Sequence, residues 1–182
     1  MKTSKLRDIT AVLAKIMEVI AFVAEGLLAI GLIAILALRG EIKRGFVDGF
    51  NNGSLNLSAF GSGANNITTD NLIPILSAIL IGGMVILALS GFLFRNINLI
   101  FKNTNLESPF ALSNVKLVKQ IGYIAVAIPF CKCIANFVMT FIAEDVSLGF
   151  EISELIFGLV ILCLAQYFAY GASLEKDVNG LL

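Results

Sequence analysis

Residues 72–94 read LIPILSAILIGGMVILALSGFLF, without one Asp, Glu, Lys or Arg. About 20 mostly apolar residues suffice for a helix to cross the ~30 Å hydrocarbon core of a bilayer. This run meets that length with no charge to bury. Three further runs lie outward from it, over about 13–38, 121–142 and 154–170. Lys132 and Gln166 weaken the last two, yet both are too apolar to be surface helices. The expected fold is all-α: an integral membrane bundle of four transmembrane helices, with a cytoplasmic helical extension between helices two and three. All 182 residues are expected to form a single transmembrane domain.

Composition agrees. The chain is 58% hydrophobic and only 14% charged, against roughly 45–50% and about 25% in soluble domains. Formal net charge is zero, so no basic surface argues for direct nucleic-acid binding. Histidine is absent, which removes the commonest general base and metal ligand. Cys131, Cys133 and Cys163 all fall in apolar runs, and an odd, lipid-embedded set is no disulfide framework. Cys131-Lys132-Cys133 has the look of a metal motif. Residues two apart on a helix point to different sides, however, so no metal and no cofactor is expected.

Lys2, Lys5 and Arg7 resemble the n-region of a signal peptide, but the apolar run behind them is too long for an h-region. The reading is a retained anchor. Orientation follows from the cations. With the amino terminus inside, eight cations (Lys2, Lys5, Arg7, Arg95, Lys102, Lys116, Lys119 and Lys176) lie on the inner side. Three (Arg39, Lys43 and Arg44) lie outside. The loop after the third run carries Glu144, Asp145 and Glu151 and no cation. A multi-pass cell-membrane protein with both termini cytoplasmic is expected.

The outer loop, 40–71, is rich in Gly, Asn and Ser and is expected to be turns and irregular chain. It carries sequons at Asn52, Asn56 and Asn66, which matter only in a glycosylating system. Thr69 or Asp70 is the expected cap of the second helix, with Pro74 in its first turn. The inner segment, 95–120, has more pattern. Phe94, Ile97, Ile100 and Phe101 recur at helical spacing among Arg95, Asn96, Asn98 and Lys102, so the second helix should continue past the membrane. Ser108-Pro109 reads as a cap followed by Pro at the first helical position. Beyond it Ala111, Val115, Val118 and Gly122 line one side. The result is a helical hairpin, either anchored to anionic lipid or docking a cytoplasmic partner through Arg95, Lys102, Phe110, Asn114, Lys116 and Lys119.

Charged residues inside a bilayer face the bundle interior and find partners. Glu25 and Lys132 each lie about 16–18 Å from the inner boundary at ~1.5 Å per residue, which predicts that they pair. Glu18, Asn136 and Gln166 extend an intramembrane polar network, with Lys15 in reach of Glu18. The network serves as interhelical glue or as an ion-coupled site. Pro129 should kink the third span near Lys132. Gly82-Gly83, with Ala78 one turn earlier, allow close helix approach.

Arg95-Asn96-Ile97 through Phe101-Lys102-Asn103, then Ser108-Pro109-Phe110, Asn114-Val115 and Ile121-Gly122, resemble the inner hairpin of a bacterial membrane family, domain of unknown function 2975. The tail, Tyr170-Gly171-Ala172-Ser173-Leu174-Glu175 and Asp177, is similar to that family's ending. Glu25 and Lys132 are not part of the pattern. The resemblance implies a four-span protein of the bacterial cytoplasmic membrane and, as a partner, a small helix-turn-helix DNA-binding regulator.

No Gly-x-Ser-x-Gly, His-Glu-x-x-His or Walker loop occurs, and Cys131 has no neighbouring base. The chain therefore reads as non-enzymatic with no catalytic residues. The leading expectation is a regulatory or sensor protein acting through the 94–120 hairpin. The alternative is a small transporter, channel subunit or immunity-type protein built on Glu25, Lys132 and Asn136. The lipid bilayer is the one partner both share, and self-association is open to either.

Overall fold

The computed structural model describes residues 2–51, 67–104, 108–142 and 152–179. Five helices and no strand occur among them: α1 (Lys2–Ala37), α2 (Arg39–Asn51), α3 (Leu72–Asn103), α4 (Leu112–Ile142) and α5 (Ile152–Asn179). Four of them are long and apolar enough to cross a membrane, over Lys5–Ala37, Leu72–Asn103, Leu112–Ile142 and Ile152–Val178. The sequons' Asn52, Asn56 and Asn66, and Glu144, Asp145 and Glu151, lie outside the described residues.

The chain divides into two compact units. One comprises Met1–Val23, Ala88–Pro129 and Glu151–Leu182; the other comprises Ala24–Leu87 and Phe130–Phe150.

In the first unit, Ala14, Glu18 and Ala21 form the buried stripe of α1, spaced at four and then three residues. Phe22 lies over Gly91 of α3, where a Cβ would come within 3.0 Å of its ring. It also meets Phe92 edge-on at 5.8 Å. Asn98 Nδ2 donates to the Ala11 carbonyl at 2.7 Å, a polar tie between helices of the kind used where water is scarce. On α4, Asn114, Val115, Ile121, Gly122, Ala125 and Pro129 are buried. The expected face through Val115 and Gly122 is thus the packed one. It meets α5 through glycines: a Cβ on Gly122 would lie 2.5 Å from Leu162 Cδ2. One on Gly158 would lie 2.7 Å from Val126 Cγ2 and 2.8 Å from the Val126 backbone nitrogen. Small residues here let backbones touch, as in membrane bundles generally. Helix α4 continues through Pro129.

In the second unit the core is Ile67, Leu72, Ile75 and Met139, with Ile42 and Phe46 packed against it. This corrects the expectation of irregular chain over the first part of 40–71, where α2 runs to Asn51; residues 52–66 lie outside the described residues. Helix α2 follows α1 after Leu38 alone, and Leu38 N→Ala34 O (2.8 Å) and Ile42 N→Leu38 O (3.0 Å) carry the hydrogen bonding across the join. Gly40, Gly45 and Gly49 each disfavour a helix by about 1 kcal/mol. Ile42 and Phe46, one turn apart, offset this by burying one face. The cap of α3 is also shifted. It is Asn71, whose carbonyl accepts from Ile75 N at 2.9 Å and whose Oδ1 accepts from Thr68 N at 2.6 Å. Neither Thr69 nor Asp70 fills that position, and Pro74 stands in the first turn as expected.

Candidate functional site: the α3–α4 turn

Helix α3 ends with Lys102 in its last turn, favourable at the negative end of a helix dipole. The Ile100 carbonyl accepts from Thr104 twice, from N at 3.0 Å and from Oγ1 at 2.6 Å. The chain then turns at Ser108-Pro109-Phe110-Ala111, where Ala111 N donates to Ser108 O at 3.0 Å. Pro at the second position of such a turn has its φ already set. Ser108 and Pro109 therefore precede α4 rather than cap it. Ala111 is the cap, its carbonyl accepting from Asn114 N (2.9 Å) and Val115 N (3.1 Å).

Three side chains hold this turn: Ser108, Asn114 and Phe110. Ser108 Oγ accepts from Phe110 N at 3.2 Å and donates to Glu175 Oε2 of α5 at 2.7 Å. Asn114, 0% exposed, donates from Nδ2 to Ser108 O at 3.2 Å. The Phe110 ring lies on Gly171, where a Cβ would be 2.7 Å from its Cδ1, and stacks obliquely with Phe168 at 5.6 Å.

The residues expected to bind a partner divide accordingly. Arg95, Lys102 and Lys116 are exposed and Lys119 is half-buried. Phe110 is engaged with α5 on one side and 41% exposed. Asn114 offers no surface: its full burial makes it part of the turn's own framework. Glu175 joins that framework although its spacing on α5 gave the only sign. Phe168, Gly171 and Glu175 lie three and four residues apart, on one helical face.

The residues expected to form one polar network do not assemble as a whole. Glu18 is 8% exposed and accepts an ion pair from Lys15 Nζ at 3.0 Å. Gln166 is exposed on α5, and no hydrogen bond among the described residues joins it to Glu18. Glu25, Lys132 and Asn136 are half-buried within the second unit. Lys132 and Asn136 each have an interaction, but Glu25 belongs to none of the ion pairs among the described residues. Cys131 is half-buried while Cys133 is exposed, as two positions on different sides of a helix should be.

No family model, curated protein or solved structure matches the chain.

Proposed function

We propose that this chain is a non-enzymatic, multi-pass protein of the bacterial cytoplasmic membrane, with both termini inside. Its α3–α4 turn docks a small cytoplasmic protein with an acidic surface. The resemblance to the family of domain of unknown function 2975 points to a helix-turn-helix regulator as that protein. Four long apolar helices support the membrane placement, and the distribution of cations supports the orientation.

One observation carries the docking reading. The turn is held from within, by Ser108, Asn114 and Phe110 against α5, while Arg95, Lys102 and Lys116 stay exposed around it. A turn already held over Ser108–Ala111 loses little entropy when a partner arrives, and exposed cations speed and orient the approach of an acidic one.

Affinity purification of the full chain from native membranes tests the reading. A small soluble protein should be retained by the intact chain. It should be lost when Arg95, Lys102 and Lys116 are changed together to Glu. Recovery of the chain with no such protein, or equal recovery with the triple variant, overturns it.

A further inference from the structure

Phe92 and Asn96 of α3 and Gln120, Tyr123 and Ile124 of α4 line a groove of about 310 Å³ that lies wholly within the first unit. The charges of the sequence fix its level. Arg95 is the first charge after the apolar run 72–94, and Lys119 is the last before the run that opens at Ile121. The lining residues fall on both sides of these two points. With both runs in hydrocarbon, the groove straddles the membrane edge on the side of the α3–α4 turn.

Its wall changes character across that edge. Phe92 and Ile124 stand on the hydrocarbon side, and Asn96 and Gln120 on the other. Tyr123 is 62% exposed, a residue type that collects at this level in membrane proteins. Lys116 lies one turn beyond Gln120 on the same face of α4. It is exposed and belongs to none of the ion pairs among the described residues. The amides are available too. Gln120 is exposed and Asn96 half-buried, and neither side chain has a hydrogen-bond partner among the described residues.

This chemistry selects an anion with an apolar tail. No Asp or Glu lines the groove or occurs in 92–104 or 108–124, so nothing there answers the ammonium of a zwitterionic headgroup. A phosphodiester finds its counter-ion in Lys116, and its ester and hydroxyl oxygens find donors in the two amides. The spacing agrees. Gln120 and Lys116 are about 6 Å apart along α4 at ~1.5 Å per residue, and the headgroup layer is about 5–8 Å deep on each side. An acidic protein would have to press its surface down to the hydrocarbon edge to fill the same groove, whereas a lipid already lies there.

We propose that this groove binds the headgroup of one anionic glycerophospholipid of the phosphatidylglycerol kind. Lys116 pairs with the phosphate, Asn96 and Gln120 hold the glycerol and ester oxygens, and an acyl chain leaves past Phe92 and Ile124. The inference rests on the membrane placement proposed above and is independent of the docking partner's identity.

The test titrates the full chain, in micelles of a non-ionic detergent, with phosphatidylglycerol or phosphatidylethanolamine and counts bound lipid by native mass spectrometry. One phosphatidylglycerol should bind several-fold more tightly than phosphatidylethanolamine. Lys116→Gln should weaken phosphatidylglycerol about five-fold, the worth of one cation near anionic lipid, and leave phosphatidylethanolamine unchanged. Lys102→Gln makes the same charge change off the groove's face and should alter neither. Asn96→Leu with Gln120→Leu should weaken phosphatidylglycerol several-fold. Equal affinity for the two lipids, no bound lipid, or equal losses in Lys102→Gln and Lys116→Gln overturns the groove. The membrane placement then still stands if alkaline carbonate leaves the chain in membranes; extraction by carbonate overturns both. Loss of a docked protein from the Asn96→Leu, Gln120→Leu chain, with lipid binding unchanged, would give the groove to that protein and overturn the lipid.

Discussion

At Gly158 an added methyl group would meet the Val126 backbone nitrogen at 2.8 Å; at Gly82 it would meet only the Ala135 Cβ, at 3.6 Å. The two glycines sit in similar apolar surroundings on long helices and do different work. On α5, Gly158 removes a side chain so that two backbones can touch. On α3, Gly82 sits where the helices are at ordinary contact distance with an unfilled cleft alongside. Small residues in a long apolar helix therefore do not all announce the same thing. The atom opposite decides, and backbone cannot move aside as a side-chain end can.

Alanine scanning of these positions puts that contrast at risk. The largest effect is expected for Gly158→Ala, which forces a Cβ against the α4 backbone. It should destabilise by about 2–3 kcal/mol, the upper part of the range for overpacking, read as a lowered midpoint in denaturant titration in detergent. Gly122→Ala meets mainly the flexible Leu162 side chain, with its backbone nitrogen at 3.2 Å, and should cost about 1–2 kcal/mol. Glu175→Ala removes the acceptor of Ser108 Oγ. The contact is partly buried, so about 1–2 kcal/mol is expected, below the ~3 kcal/mol ceiling for bonds to charged groups. Its signature should be faster amide exchange at residues 108–115, with 72–79 unchanged. Asn98→Leu should cost about 0.6 kcal/mol, the average for interhelical polar contacts in membranes. Gly82→Ala should be smallest and of opposite sign. With space for the methyl and a better helix former in place, it should stabilise by up to about 0.5 kcal/mol. If Gly82→Ala instead destabilises as much as Gly158→Ala, the contrast fails.

The long helices were legible because residues 72–94 and the runs around them are apolar over lengths only a few structures accommodate. The continuation of α3 through Asn103 followed from the spacing of Phe94, Ile97 and Phe101. Helix α2 was hidden because its three glycines speak locally, whereas Ile42 and Phe46 are decided by the distant Ile67 and Met139. The expected pairing of Glu25 with Lys132 came from depth alone. Depth fixes how far along an axis a residue lies but not the direction in which it faces. For the hold of Glu175 on Ser108, spacing put Glu175 on one face of α5 with Phe168 and Gly171 but did not name Ser108 as its partner.

The bond from Ser108 to Glu175 spans 67 positions of chain, and this has a consequence for biosynthesis. A ribosome completes the turn well before it reaches the residue that fastens it. Until α5 is made and seated, Phe110 has neither Gly171 nor Phe168 to rest on. The nascent protein therefore passes through a stage in which its loop is present but unlatched, and a surface that needs the latched form matures only when the last helix arrives.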